Sequence, residues 1–439
     1  MKVAVIGAGS AQFLWELADL CALHDVGPYE IALCDTHPVR LSTVEAFAHR
    51  VIDIMGTPTT VSATGDRRVA LADANAVVVS VGVGMQDSIR PDFEIPARYG
   101  LRQTVADTCG IGAVIRILRT APVMARIASD VVAANPDAWL LNVTNPMAMI
   151  CMALDRMVPA ARTVGLCHST WITAAEIAGH LGVPSDELTF DGSGVNHQVF
   201  ISRLEHQGRD LYPEFRRMAD DPEHPIFDTV RGDLMRRFGL YVTESSKHNS
   251  EYVPWYLPHD SEVKRYGLEP NPYWERRSGN AEWFAMATDF ANGRSDLPIA
   301  DMLPSGEYAP QIIRSLVTGE ERSIYVNVPN RDGAGARWID ELPEWGVVEV
   351  PATCDAGGVN PRRAGPVPPQ CAAINRRYLD VCDLAVRAVV DGSREHVFHA
   401  AYLDANASAT MTLDAIHAMV DELLDAHQAA GRLPESLHR

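Results

Sequence analysis

Four short segments set polar residues directly after apolar runs: Gln103–Thr108, Asn142–Pro146, Gly165–Ser169 and Gly194–His197. Two residues in them, Cys167 and His197, are of types that bind transition metals. A thiolate and a neutral imidazole suit Mn(II), Fe(II), Co(II) or Ni(II), with substrate oxygens completing the coordination. Their spacing is not diagnostic, and an ordinary buried cysteine and histidine fit the same positions. A fifth segment, Tyr241–Trp255, crowds Glu244, Ser245, Ser246, Lys247, His248, Glu251 and Tyr252 ahead of aromatic residues. So many acids, bases and hydroxyls together suit proton transfer, and a solvated loop is the alternative. Lys247 is one of three lysines, and the only one of them placed near this chemistry.

The start of the chain suggests a second kind of site. An apolar strand, Lys2–Ile6, runs straight into Gly7-Ala8-Gly9-Ser10 and a helical pattern over Gln12–Leu23. Backbone N–H groups of such a turn and the helix N-terminus can cradle a pyrophosphate. Gly7 permits the tight turn and Gly9 the close approach, while Gln12 stands where the usual third glycine would be. A second strand, Glu30–Cys34, ends on Asp35, whose carboxylate can accept both ribose hydroxyls and repel a 2′-phosphate. That favours NAD over NADP, a preference that nearby Arg40 tempers. A Val-rich run ending in Ser80-Val81-Gly82 supplies a wall for the cofactor.

Positioning these groups requires a regular framework. Further strands are expected at Ala76–Val81, Trp139–Val143 and Thr163–Leu166, with helices over Ala113–Asp130 and Pro146–Met157. Strand and helix alternating at this spacing indicate an α/β fold: an N-terminal Rossmann-like, doubly wound parallel sheet. In such sheets the carboxyl ends of the strands border the ligand crevice, so Asn145 and Cys167 should face it. Beyond Gly194 short apolar segments alternate with Pro-rich and charged stretches. Helices are then expected at Pro368–Asp391, Arg394–Ala405 and Thr412–Ala429. The reading is a nucleotide-binding domain over 1–193 and a C-terminal α+β domain over 194–439, the latter for substrate, metal and oligomerisation.

Composition narrows the classes. A formal charge of −19 argues against nucleic acid and anionic membrane surfaces as partners. No apolar run is long enough to span a bilayer, and the first stretch has neither the length nor the flanks of a signal peptide. Eight scattered cysteines without a C-x-x-C pair speak against a disulfide scaffold or zinc ribbon and for a reduced, cytoplasmic enzyme.

Taken together the motifs resemble family 4 of the glycoside hydrolases. They are G-A-G-S, Q-T-V-A-D-T, V-T-N-P-M-A-M, G-L-C-H-S, G-V-N-H and T-E-S-S-K-H-N-S-E-Y-V-P-W, in that order. The C-H-S and T-E-S-S-x-H forms are most similar to the α-galactosidase branch. The resemblance implies NAD held by Gly7, Gly9, Ser10 and Asp35, with Gln12, Val81 and Asn142 beside it. It implies a divalent metal, usually Mn, on Cys167 and His197. Asn145, His168 and Asn196 would contact the sugar, Asp107 would lie next to it, and His248 or Tyr252 would be the general base. Two segments depart from the family pattern: Cys109–Ala113, where a proline and a glycine are lost, and Leu403–Ser408.

The implied reaction removes a hydride from C3 of the sugar and a proton from C2. It then expels the C1 substituent with acid help from His168, adds water and returns the hydride. This differs from two-carboxylate glycosidases. The implied partner is a small glycoside, and the implied assembly a homodimer or homotetramer. The substrate expected is an α-galactoside or related α-hexoside. An α-glucuronide or α-galacturonide is the alternative, because Arg90, Arg98 and Arg102 could pair with a carboxylate. A lactate- or malate-type dehydrogenase and a non-catalytic NAD-binding protein are the rivals from other classes.

Overall fold

The computed structural model describes residues 1–10, 13–271 and 279–438. Gln12 lies outside the described residues. Six strands, β1 (Lys2–Ile6), β2 (Glu30–Cys34), β3 (Thr60–Thr64), β4 (Ala76–Val79), β5 (Trp139–Asn142) and β6 (Arg162–Gly165), are mutually parallel in the order β3-β2-β1-β4-β5-β6. This is the doubly wound arrangement, in which the winding reverses between β1 and β4 and leaves a crevice at the strands' carboxyl ends. Val3, Ala4 and Val5, like Ala76–Val79, are completely buried at consecutive positions. A strand covered by helices on both faces has no solvent side, so its apolar residues run on without alternating.

The sheet does not stop at β6. It continues through β7 (Thr189–Val195), β8 (Gln198–His206), β9 (Arg209–Asp210), β10 (Tyr241–Val242), β11 (Arg322–Pro329), β12 (Val347–Asp355) and β13 (Gly358–Pro361). These pair antiparallel, in the order β6-β11-β12-β7-β8-β10, with β9 on β8 and β13 on β12. The hairpin β11–β12 is thereby wedged between β6 and β7. It is joined to them by single register pairs, Asn327 with Gly165 and Glu349 with Gly194. Those two pairs sit immediately before the segments that carry Cys167 and His197.

Helices cover both faces. The 25-residue helix Gly110–Ala134, roughly 37 Å long at 1.5 Å per residue, packs against Met147–Met157 and against Pro369–Val390 from the last third of the chain. The helix expected over Arg394–Ala405 ends at Leu403 instead. Asp404 leaves helical geometry there and caps a new helix, Ala405–Thr410, accepting from the Ala407 N–H at 2.7 Å. Among the described residues no helix is long and apolar enough to cross a membrane.

Candidate active site

The glycine turn, Asp35, Ser80, Asn145 and Cys167 follow the carboxyl ends of the parallel strands β1, β2, β4, β5 and β6. At β1 the turn holds Gly7 at φ +83°. A Cβ on Gly7 would lie 2.2 Å from the Ser80 carbonyl oxygen, and one on Gly9 2.8 Å from the Arg40 Cβ and 2.9 Å from Asp35 Oδ2. Only bare backbone fits, which is the surface a pyrophosphate needs. The Asp35 carboxylate accepts from the Gly9 N–H and the His37 N–H, both at 2.8 Å, and Arg40 donates to the Gly9 carbonyl at 3.2 Å. Ser10 closes the turn by donating its N–H to the Gly7 carbonyl at 3.1 Å. Across the crevice the Val81 N–H donates to Thr144 Oγ1 at 3.0 Å, tying the ends of β4 and β5 together. Asn142 is fully buried, and its side-chain amide is spent on the Thr144 backbone at 3.0 and 3.1 Å. Its contribution is therefore to shape the turn. The fit to a dinucleotide lies in the glycine turn and Asp35.

Cys167 follows β6 by two residues and is buried beside the N-terminus of the helix Ser169–Leu181. His197 occupies the two-residue turn between β7 and β8 at φ +62°, an uncommon conformation for a residue with a side chain. Glu244 follows β10 at φ +67°, with its N–H donated to Thr173 Oγ1 at 3.1 Å. Ligand atoms of Cys167, His197 and Glu244 lie within 4.8 Å of one another. Non-glycine residues held at positive φ cost energy and concentrate at functional sites. Here two of them aim side chains at one point.

The surroundings of the cluster set its chemistry. Thr108 Oγ1 lies 3.1 Å from His197 Nδ1 and donates to Asp107 Oδ1 at 2.8 Å. With the hydroxyl proton committed to Asp107, Nδ1 is the donor in this contact, which leaves Nε2 as the ring nitrogen available to a metal. Burial, with Glu349 nearby, pushes the Cys167 thiol up to about 12. A cation must therefore displace a proton from it. Burial alone would raise Glu244. Protonated His168 and Arg231 oppose burial and hold that carboxylate below its usual range. A soft anion, an imidazole and a permanently charged carboxylate form a donor set suited to a divalent transition metal.

His248 packs its ring against His197, centroids 4.4 Å apart, and its Nε2 is 3.8 Å from Glu244 Oε1. Burial, then His197, lowers its pKa, so the ring is neutral. The Tyr252 hydroxyl donates to the Asn196 carbonyl at 2.6 Å, and burial drives its pKa far above the usual value. It braces the His197 turn from beneath. The Asn196 side chain is likewise buried and donates to Glu349 Oε2 at 3.3 Å. His168, half-exposed at the crevice, has its Nδ1 3.0 Å from Glu307 Oε1. Burial lowers its pKa, but the Glu307 hydrogen bond and the charges of Cys167, Glu307 and Glu244 more than reverse that, to about 10. Asn145 Oδ1 accepts from the Met147 N–H at 3.3 Å. Lys247 faces away, paired with Glu269 at 3.1 Å.

Sequence reasoning gave no individual role to four carboxylates, of which Glu244 and Glu251 lie in a segment it singled out. Glu251 accepts from the N–H groups of Thr104, Val105 and Ala106 at 2.7–3.1 Å and so pins the loop that carries Asp107. Glu349 is wholly buried in β12, and burial raises it to about 7. Its signal was visible: an acid set among valines, Val347-Val348-Glu349-Val350. Glu307 had none.

Comparison with known proteins identifies the family. The family 4 glycosyl hydrolase model matches residues 2–183, and the model of that family's C-terminal domain matches 193–407. An α-galactosidase of Bacillus subtilis (strain 168) is 36% identical over 97% of this chain and 98% of its own length. An α-galactosidase of Rhizobium meliloti (strain 1021) is 32% identical over all of this chain and 90% of its own length. The fold is shared with a 6-phospho-α-glucosidase from gut microorganisms solved with NAD and Mn2+, at TM-score 0.82 and 19% identity, covering 99% of both chains. The chain belongs to family 4 of the glycosyl hydrolases.

Proposed function

We propose that the chain is an α-galactosidase that uses NAD and a divalent metal, Mn(II), to cleave glycosides through temporary oxidation at C3. The convergence of Cys167, His197 and Glu244 beside a dinucleotide-type crevice is the single observation that carries the reading. The glycine turn and Asp35 would hold NAD, and Cys167 with His197 the metal. When bound, the pair supplies a reversible hydride acceptor and a Lewis acid for the sugar oxygens.

The chain's own residues do the remaining work. His248 is neutral, and its buried Nδ1 has no protein partner. It is the group placed to take the C2 proton. Tyr252 is the weaker candidate because its hydroxyl is already donated. His168 carries a proton at neutral pH and is suited to deliver it to the departing C1 oxygen. Asn145 would orient the sugar from the neighbouring strand end. Asp107 would act through Thr108 on His197 as well as lying beside the sugar. In this reading residues 1–193 hold the nucleotide and residues 194–439 supply the metal turn and the base. The reading also takes in a cytoplasmic setting and a homodimer or homotetramer.

A neutral hexoside is favoured over a uronide for a specific reason. Arg90 pairs with Glu94 at 2.7 Å, Arg98 with Glu422, and Arg102 with Asp260 and the Leu257 carbonyl. Each guanidinium proposed to meet a uronate already meets a carboxylate of the chain itself. Nitrophenyl α-galactoside, α-glucoside, α-glucuronide and α-galacturonide, each supplied with NAD and Mn(II), provide the test. The galactoside should be turned over fastest, and NADH should not accumulate. A uronide turned over fastest would overturn the substrate reading, and NADH formed in proportion to substrate would make the chain a dehydrogenase.

A further inference from the structure

The segment Ser305–Gln311 is stitched to two helices of the site at once. Ser305 donates both its N–H, at 2.8 Å, and its hydroxyl to Asp19 Oδ2, on the helix Leu14–Ala22 that follows the glycine turn. Gly306, at φ +83°, lies flat against Trp171. A Cβ there would come within 2.8 Å of the indole ring, so no other residue fits. Tyr308 shares a hydrogen bond with Thr170 at 2.9 Å. Trp171 and Thr170 belong to the first turn of the helix Ser169–Leu181, which His168 opens. Within the segment the Gln311 amide donates to the carbonyls of Gly306 and Glu307 at 3.0 and 3.2 Å. Glu307 is thus delivered from a fixed turn to His168 Nδ1 at 3.0 Å.

We propose that Glu307 is a positioning residue for His168. By accepting from Nδ1 it turns the opposite ring nitrogen toward the crevice, and the Ser305–Asp19 clamp fixes that orientation relative to the nucleotide-binding helix. Glu16, buried on the same helix, has its carboxyl held well above the usual range by burial and by the neighbouring charges of Glu307 and Asp19. Carboxylate partners of this kind fix a histidine's ring orientation and tautomer. The consequence for turnover rests on the role given to His168 above; the positioning itself does not.

The test combines ring-nitrogen NMR of the histidine-labelled full chain with kinetics. The wild type should show a protonated, slowly exchanging His168 Nδ1, identified by its loss in His168→Gln. That signal should vanish in Glu307→Ala, persist with an altered shift in Glu307→Gln, and weaken in Ser305→Ala, which leaves Glu307 in place. In Glu307→Ala kcat should fall roughly 10- to 100-fold, while KM, NAD affinity and Mn(II) affinity stay within about threefold. Glu307→Gln should recover part of the kcat. A His168 signal unchanged in Glu307→Ala overturns the proposal, as does one untouched by Ser305→Ala. A lost signal with unchanged kcat supports the positioning contact and refutes instead the role of His168 in the reaction.

Discussion

Replacing Asp35 with alanine tests the cofactor site at its most connected point. The carboxylate has about four acceptor positions. Two are filled in the structure by the Gly9 and His37 N–H groups, both at 2.8 Å, which leaves room for two ribose hydroxyls. The Gly9 bond holds the glycine turn against the end of β2, so the substitution acts on the sugar and on the pyrophosphate cradle together. Hydrogen bonds to a charged acceptor contribute about 1.5–3 kcal/mol each, and partial exposure here places the two lost ribose bonds near the bottom of that range. A total of about 3 kcal/mol corresponds to roughly 150-fold weaker NAD binding. Titration calorimetry with NAD and NADP reads this directly. Asp35→Asn, which keeps one acceptor oxygen, should fall between the alanine variant and the wild type, and NADP should gain relative to NAD in both. An Asp35→Ala protein that binds NAD as tightly as the wild type would refute the reasoning.

Cys167→Ser and His197→Ala should each lose Mn(II) binding and turnover, yet bind NAD with wild-type affinity; full activity of either in EDTA would exclude the assignment. Mn(II) affinity should also rise with pH, by up to about tenfold per unit, because the thiol at about 12 must give up a proton to the incoming cation. An affinity independent of pH between 6 and 8 would contradict Cys167 as a ligand. Glu251 makes a stability prediction. Burial raises it to about 7 from an unfolded value near 4.3. The folded state therefore keeps a proton that the unfolded state releases; the associated stability is complete below about pH 4.3 and lost as pH rises through 7. Glu251→Gln still accepts from the loop N–H groups but does not titrate, so it should gain about 3–4 kcal/mol on the wild type between pH 4.5 and 8 in urea unfolding. Parallel pH profiles for the two would contradict the buried-acid assignment.

Much of this was legible in the sequence because it is local. The strand, the glycine turn and Asp35 depend on short-range pattern, and apolar runs such as Ala76–Val79 mark strands buried on both faces. Cys167 and His197 are named through the family motifs G-L-C-H-S and G-V-N-H, since their spacing alone is not diagnostic. The remainder depends on distant pairing. His168 and Glu307 are 139 positions apart, and Asn196 and Glu349 153. The hairpin β11–β12 enters the sheet between β6 and β7, a placement that no periodicity encodes. Direction was hidden as well. Asn142 and Asn196 have polar side chains at crevice-edge positions, yet both turn inward and satisfy backbone or carboxylate groups. Glu244 joins Cys167 and His197 with its backbone at φ +67° and its N–H donated to Thr173, a conformation that no local pattern announces.

The central claim is that glycoside cleavage passes through a broken C2–H bond. Direct displacement at C1 leaves that bond intact, whereas removal of the C2 proton and its later replacement exchange it with solvent. The decisive measurement is the isotopic content of galactose released from an α-galactoside in deuterated water, with NAD and Mn(II) present and NAD in catalytic amount. Deuterium at C2 in the product, with no net NADH at completion, is the predicted result. Galactose carrying only protium at C2 after complete turnover would contradict it.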